Sequence, residues 1–565
     1  DNRVADPALA AHRARIAALE DDAEAAEAFF DIRIADIAMG SGHFLVAAMD
    51  RVEQALAAML VERPLPGVEA ELAALRAAAT GALGALAETV RIERDALLRR
   101  QIALRCLYGV DLNPLAVDLA RLSLWVHSFV PGLPLALLDD HLLQGNALVG
   151  VATVRELEAK FAGAGMALFP VDARSLLGAA EAPLRRRARL MDTTIADVER
   201  AREAMREAQA ALGPTRALCD IVVGQQVAPE RVRFQFETWP KERARIGGHK
   251  ALRAAREALA GLDALHFLVA FPEVFLRRRP GFDVILGNPP WEKLRSERDE
   301  FWARHFPGLR GIKSTAERDA ALRKLARDRP DLVALEAKER DAGEAMRNAV
   351  RALPGMNTGH PDLFRAFSGR FAQLVTRDGG HFGVVLPGEA FKVKGNGPVR
   401  AGLDAVARRV DVQMLTNRSE WVFEGVHGQK PIALLAVEAG TPGHDGCIYA
   451  LRPEYHDPTR FAARDPADVV ERPAHWLRAY SEGLVQPTFP TAPAALSVAV
   501  IEAMMRSPRI SSHPVLKVRR VYADVETTRD KDLHAAKTGA PGLWPVYGGD
   551  SFDLWQPDTG TYYAM

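Results

Sequence analysis

The spacing of apolar positions changes period several times along the chain. Over residues 1–30 apolar residues recur at helical spacing among Ala, Glu and Arg, and then Asp31-Ile-Arg-Ile-Ala-Asp36 shifts to alternation. This predicts a helix feeding a first strand. The glycine cluster Gly40-Ser41-Gly42 follows, and from His43 to about Leu60 the helical spacing returns, with Ala, Leu, Val and Met on one face. Strand, glycine turn and helix form the opening of a nucleotide-binding α/β unit. A further helical stretch reaches Leu104, Cys106-Leu-Tyr-Gly-Val110 reads as a short apolar strand closed by Asp111, and Asn113-Pro114 begins another helix. A third strand-like segment leads into Gln144-Gly145-Asn146-Ala147-Leu148.

Residues 151–265 show mostly a helical Ala/Arg/Glu/Leu pattern, broken around Gly213-Pro214 and Gly247-Gly248, and read as an inserted helical subdomain. The strand pattern resumes at Gly281-Phe-Asp-Val-Ile-Leu286 and ends in Gly287-Asn288-Pro289-Pro290-Trp291. A charged helical stretch to about Ala352, a helix at Asp362–Phe367 and a strand at His381–Pro387 come next. Such alternation predicts a largely parallel, doubly wound sheet. Beyond about Gly440 the pattern is irregular and rich in Pro, Gly, Asp and Tyr, which suggests a second domain. The expected division is 1–150, the helical insertion 151–265, 266–440, and a further domain over 441–565. No internal repeat is visible.

Composition narrows the class. The 565 residues are 48% hydrophobic and 26% charged, which excludes a disordered or fibrous chain. Lys and Arg total 73 against 73 Asp and Glu, so a polyanion would have to be met by local patches. Cys106, Cys219 and Cys447 lie far apart, which argues against a disulfide framework or cysteine zinc site and fits a reducing cytosol. No charge-free run long enough to span a bilayer occurs, and Asp1-Asn2-Arg3 lacks a signal-peptide pattern, so neither a membrane span nor export is expected. The chain lacks an initiating Met and stops soon after an aromatic, strand-like stretch, the expectation for a piece of a longer protein.

Four groups of residues carry candidate chemistry. Gly40 and Gly42 permit positive φ and let backbone approach a ligand, while the next helix offers free N–H groups, as a nucleotide or nucleoside would need. An ordinary tight turn uses the same residues. Asp111, ending the second strand, can accept both hydroxyls of a ribose, or can serve as a helix cap. Asn146 can meet an adenine edge or act as a turn residue. In Asn288-Pro289-Pro290-Trp291 two prolines fix φ and remove two donors. The Asn288 side chain and the Pro289 carbonyl can then act as paired acceptors for one amino group, beside a flat ring. That suits an exocyclic NH₂ on a planar base, with Trp291 stacking on it; a rigid turn closing a strand is the plainer alternative.

Asp36-Ile-Ala-Met-Gly40-Ser41-Gly42-His43-Phe44 resembles the first motif, and Asn288-Pro-Pro-Trp291 the fourth, of the gamma-order adenine-specific DNA methyltransferases. Gly-Val-Asp111-Leu-Asn113-Pro114 and Gly145-Asn146-Ala-Leu are similar to the second and third. Phe271-Pro-Glu-Val-Phe275 and Gly281–Trp291 resemble the large methylases of fused restriction-modification enzymes and of phage-defence systems such as DISARM and BREX. The resemblance spans about residues 30–440. It implies a class I, Rossmann-like fold with a mostly parallel seven-stranded sheet, helical insertions and a C-terminal target-recognition domain. It further implies methyl transfer from S-adenosylmethionine to adenine N6 in double-stranded DNA, with the base flipped out, no metal, and possible partner subunits. Asp36, Ala38, Gly40, Ser41, Gly42 and Phe44 would line the methionine end of the cofactor, Asp111 its ribose and Asn146 its adenine. Asn288, Pro289 and Trp291 would present the target adenine, and Pro290 would touch the cofactor. Glu420–Leu435 resembles the motif that supplies a second stacking ring, with Phe423 or His427 in that role or packing the core, and Trp544-Pro-Val-Tyr547 resembles part of a recognition region. The family's Thr-Pro motif ahead of the first strand is missing, and Ile37 stands where Pro is commoner.

The same Asn-Pro-Pro-aromatic arrangement serves RNA bases and protein amides, and a DNA-reading subunit with a vestigial or partner-dependent site is a non-enzymatic alternative. Pro330-Asp331 with Glu336-Ala-Lys338 spells a nuclease-like pattern but lies in a helical run, where the carboxylates would not converge. Lys392, Lys394 and Arg400, with Arg295, Arg298, Arg304, Arg310 and Lys313, are candidate phosphate contacts or a solvated face.

Overall fold

Short apolar runs with both faces covered form the centre of the structure, a computed structural model. It describes residues 4–507 apart from 136–137, 164–172, 295–297, 313, 357–361, 425–429, 445, 464, 482 and 490–492, together with 545–546 and 563–564. Two compact units result, Asp1–Ile501 and Glu502–Met565. In the second, Pro545–Val546 pairs antiparallel with Tyr563–Ala564.

The first unit holds a sheet of β1 (Ile34–Asp36), β2 (Leu107–Asp111), β3 (Leu142–Gln144), β4 (Val284–Gly287), β5 (His381–Pro387), β6 (Ala407–Thr416), β7 (Pro431–Ala439), β8 (Ile448–Leu451) and β9 (Val470–Pro473). Their order is β3-β2-β1-β4-β5-β7-β6-β8-β9. From β3 to β5 every pairing is parallel. β7 runs antiparallel to β5 and β6, β8 is parallel to β6, and β9 is antiparallel to β8. The sheet is therefore nine-stranded and mixed, correcting the expectation of seven mostly parallel strands. The two extra strands are four residues each and lie in the irregular stretch past Gly440, where Pro and Gly hide the alternation.

Side chains alternate between two cores. Ala35, Tyr108, Val110 and Ile285 point into one cluster, which includes helical residues of 154–259 such as Leu157, Leu218 and Ala255. Ile34, Leu107, Val284 and Leu286 point into the other, with Leu45, Met49 and Val52 of the helix His43–Glu62 and Val117, Ala120 and Leu124 of the helix Pro114–His127. Helices thus cover both faces, which is why the central strands read as unbroken apolar runs. Among the described residues, the helical stretch Pro66–Glu88 is long and apolar enough to cross a membrane by length and composition alone. Here Val68, Leu72, Leu75 and Ala79 pack into the second core, and Glu69 and Glu71 pair with Arg94 and Arg105.

Both edge strands are short, three residues in β3 and four in β9. Beyond β3, the Asn146 N–H donates to the Asp263 carbonyl at 2.7 Å, and Leu265 and Phe267 donate to Val149 and Val151. β9 presents Glu471, Arg472 and Pro473. The chain leaves β1 toward β3, then re-enters beside β1 as β4 and proceeds the other way, so a crevice opens at the carboxyl ends of β1 and β4.

Candidate functional site

Asp36, Asp111 and Asn288 all sit at the carboxyl ends of β1, β2 and β4, and Asn146 lies just past β3. The turn after β1 is built for close approach. Gly40 and Gly42 have φ of 53° and 83°, the left-handed region that favours glycine. A side-chain carbon at Gly40 would meet nothing within 4 Å, whereas one at Gly42 would lie 3.2 Å from Ala120 Cβ. Gly42 therefore seats the turn against the helix Pro114–His127, and the space above Gly40 is open. The Gly40 N–H donates to Asp111 Oδ2 at 2.9 Å, tying the turn to the next strand. Asp111 Oδ1 accepts the Asn113 N–H at 2.8 Å, and Asn113 in turn caps the following helix. Asp111 therefore does act as a turn residue, and each oxygen keeps a lone pair for a further donor. Ser41 Oγ lies 2.9 Å from His43 Nδ1, while Ala38 and Phe44 are half-buried against the two cores.

Asp36 is the unusual group. It is 1% exposed, and its Oδ1 accepts the Ala38 N–H at 3.0 Å. Its Oδ2 is buried without a hydrogen-bond partner. Gly287, at the end of β4, makes the space, since a Cβ there would stand 2.9 Å from Asp36 Oδ1. Burial pushes the carboxyl up to about 7, the Ala38 N–H pulls it down, and Asp111 nearby adds repulsion. A buried carboxylate oxygen with no donor suits a cation arriving with a ligand, and the open cradle at Gly40 gives that ligand room.

Asn288 and Pro290 are exposed, Pro289 is buried and Trp291 is half-buried. The Trp291 Nε1–H donates to the Val385 carbonyl on β5 at 3.3 Å, which fixes the plane of the ring. The ring borders a cluster of Leu415, Ile432 and Tyr455, which Phe423 also borders. Asn417, fully buried, holds Phe423 in place: Oδ1 accepts the Val422 and Phe423 N–H groups, and Nδ2 donates to the Phe423 carbonyl at 2.8 Å. Ser419 and Glu420 adopt positive φ inside this turn. His427 lies outside the described residues, as do Trp544, Tyr547, Arg295 and Lys313.

Asn146 is half-buried, with Oδ1 accepting the Leu148 N–H at 3.1 Å and Nδ2 directed at Met346 Sδ, 3.5 Å away. The basic cluster needs correction. Arg400 is fully buried and donates to the carbonyls of Ala390, Val393 and Gly483, so it is a structural tie rather than a phosphate contact; those carbonyls end short turns and need donors. Lys392 pairs with Glu454 at 2.9 Å, Arg304 with Glu339 at 2.5 Å and Arg298 with Glu336 at 3.5 Å. Glu336 also accepts the Trp302 indole N–H on a continuous helix, Pro330–Arg351, and no metal-binding cluster occurs among the described residues.

Three residues of this neighbourhood give no signal in the sequence. Gly287 looks like an ordinary strand end until Asp36 is placed beside it. Asn417 and Met346 act across 6 and 200 positions, beyond any local pattern.

Residues 105–320, from just before β2 to beyond Trp291, match the family described as Eco57I restriction-modification methylase. No curated protein matches the chain. Among solved structures, a modification subunit of a putative type I restriction enzyme from Vibrio vulnificus YJ016 is similar at 11% identity, over 83% of this chain and 57% of that one, with a TM-score of 0.34. The ATP-dependent Type ISP restriction-modification enzyme LlaBIII bound to DNA is similar at 9% identity over 76% of this chain, with a TM-score of 0.30. A nuclease-deletion mutant of the Type ISP enzyme LlaGI with a DNA substrate mimic gives 10% identity and 0.28. The chain spans 57%, 18% and 22% of the lengths of these three proteins. The segment carrying Asp111, Asn146 and Asn288–Trp291 is thus similar to a restriction-modification methylase within a mixed α/β sheet.

Proposed function

We propose that this chain is an S-adenosylmethionine-dependent DNA methyltransferase acting on adenine N6. The observation that carries the reading is Asp36: a buried carboxylate with one unpartnered oxygen, beside an open glycine turn and against the strand that ends in Asn288-Pro-Pro-Trp291. A cofactor that brings a cation and a nucleoside fits those residues. Asp36, Ala38, Gly40, Ser41, Gly42 and Phe44 would line its methionine end, Asp111 would accept from its ribose, and Asn146 would meet its adenine once Met346 moves off Nδ2. When bound, that cofactor supplies an electrophilic methyl group on a sulfonium.

The chain's own part is to present the acceptor. Asn288 Oδ1 and the Pro289 carbonyl accept both N–H bonds of a flipped adenine's amino group, which directs the nitrogen lone pair out of the ring system and draws off the proton as the new bond forms. Trp291, held by Val385, flanks the base, with Phe423 or His427 as candidates for the opposite face. Pro290 faces the cofactor side. The size of the chain and its residues beyond 440 favour duplex DNA in a cytoplasmic restriction-modification or phage-defence setting, such as the DISARM or BREX type.

The pairing of Lys392, Arg298 and Arg304 with acids favours a second reading, a site that reaches DNA only with a partner subunit. Both are tested with tritiated S-adenosylmethionine, duplex DNA, tRNA and protein acceptors, using wild type and Asn288→Ala. The expected outcome is label in N6-methyladenine of DNA, reduced about 10²–10³-fold in the variant. Label in RNA or protein would sink the DNA assignment, and cofactor binding with no label in any acceptor would favour the partner-dependent reading.

A further inference from the structure

The helix Pro114–His127 begins directly after Asp111 and turns Val117, Ala120 and Leu124 into the core. Its opposite side is apolar as well. Leu115 is 63% exposed, Leu119 45%, Leu122 52%, Val126 62%, and Phe129, just past the helix, 48%. These positions advance by four, three, four and three residues, the spacing of a seam between two packed helices. Isolated exposed apolar residues are unremarkable, but three leucines, a valine and a phenylalanine in one line bare about 500 Å² of apolar surface, near the upper end for a monomer.

The geometry also indicates the occupant. The stripe is symmetric about the midpoint between Ala120 and Arg121: Leu119 mirrors Leu122, and Leu115 mirrors Val126. Laid antiparallel across a two-fold axis, two copies would set each Leu119 against the other's Leu122 and each Leu115 against the other's Val126, a self-complementary contact. Charge does not oppose it. The stripe itself is uncharged, and Arg121 is turned aside, donating to the Leu142 carbonyl at 2.7 Å and pairing with Asp118 and Asp139. The area is more than half of the roughly 800 Å² that each partner brings to a standard interface.

We infer that the Pro114–His127 helix is a two-fold interface through which two copies of this chain associate as an antiparallel helix pair. The same axis brings the other copy's Phe129 to Leu112, which is 53% exposed and adjoins Asp111, so the interface ends at the mouth of the candidate site.

Sedimentation velocity on the full chain at about 1–100 μM tests it, a range suited to an interface of about 1,000 Å² in total, at the small end for specific association. A species of twice the 61.7 kDa chain mass is expected, and Leu119→Glu with Leu122→Glu should raise the dissociation constant at least about tenfold without changing the thermal melt at dilutions where the wild type is monomeric. A second variant fixes the geometry: Leu115→Cys with Val126→Cys should oxidise to a covalent dimer, while Leu115→Cys alone, about 16 Å from its counterpart along the helix axes, should not, and native Cys106, Cys219 and Cys447 are buried. A monomer at every concentration, as an unlike partner would require, overturns the inference. So does a dimer indifferent to the two glutamates, or one that cross-links as readily through the single cysteine.

Discussion

Two buried aspartates at opposite ends of neighbouring strands have opposite surroundings. Asp283, at the amino end of β4, pairs with Arg277 at 2.7 Å and Arg279 at 2.8 Å and accepts the Arg33 N–H at 2.8 Å. Burial pushes its carboxyl up, but the two guanidiniums outweigh that and hold it below the ordinary aspartate value. Asp36, at the carboxyl end of neighbouring β1, is as deeply buried and has one backbone donor and no cation. Burial there wins, and the carboxyl rises to about 7. One end of the sheet is complete without a ligand, and the other is incomplete. Among the described residues no countercharge stands against Asp36, the arrangement expected of a group whose countercharge comes with a ligand.

Matched substitutions should separate the two ends by sign. Asp283→Asn removes the carboxylate that Arg277 and Arg279 share, leaves them Asp31 at 3.3 Å and Asp378 at 3.2 Å, and is expected to cost about 3 kcal/mol in denaturant unfolding, the low end for a broken buried pair. Asp36→Asn should instead stabilise the ligand-free protein, by on the order of 3 kcal/mol at pH 8. The folded state holds the Asp36 proton more tightly than the unfolded state does, so the wild type loses stability as pH rises from about 4 through about 7 and levels off above, whereas Asp36→Asn lacks that slope. An unchanged slope in the variant would remove the assignment of this titration to Asp36.

Ligand binding should sharpen the contrast further. The wild type should bind S-adenosylhomocysteine more tightly as pH rises toward about 7, by at most tenfold per pH unit, because its ammonium calls for an ionised carboxylate. Calorimetry on Asp283→Asn, where it folds, should retain that dependence, and Asp36→Asn should lose it. The smallest effect concerns the turn: Gly42→Ala, strained at φ 83° and crowded by Ala120, should cost about 1–3 kcal/mol, and Gly40→Ala, with open space around it, less.

Much of this site was legible in the sequence because its residues close strands. Apolar runs ending in Asp36, Asp111 and Asn288 mark the carboxyl edge without coordinates. The state of the groups was not legible, since the room for the Asp36 carboxyl depends on Gly287, 251 residues away, where a Cβ would stand 2.9 Å from Oδ1. Arg400 read as surface charge because the carbonyls that hold it come from the short turn of Ala390 and Val393 and from Gly483, 83 residues away. β8 and β9 were missed because four-residue strands set among Pro and Gly show too little alternation to register. The helix after Asp111 carries apolar residues on two opposite sides, and which of them is bare depends on the packing of Val117, Ala120 and Leu124 into the core.

The way the sheet ends has a consequence for how the chain behaves in a crowded solution. A β-ladder left open is a template on which another chain can add a strand, the first step toward fibrous aggregate. Among the described residues, the β3 side offers a strand of three residues, with 263–267 pairing to 146–151 just beyond it, and the β9 side a short strand with two charges and a proline that lacks a donor. Growth by strand addition is therefore discouraged at both margins.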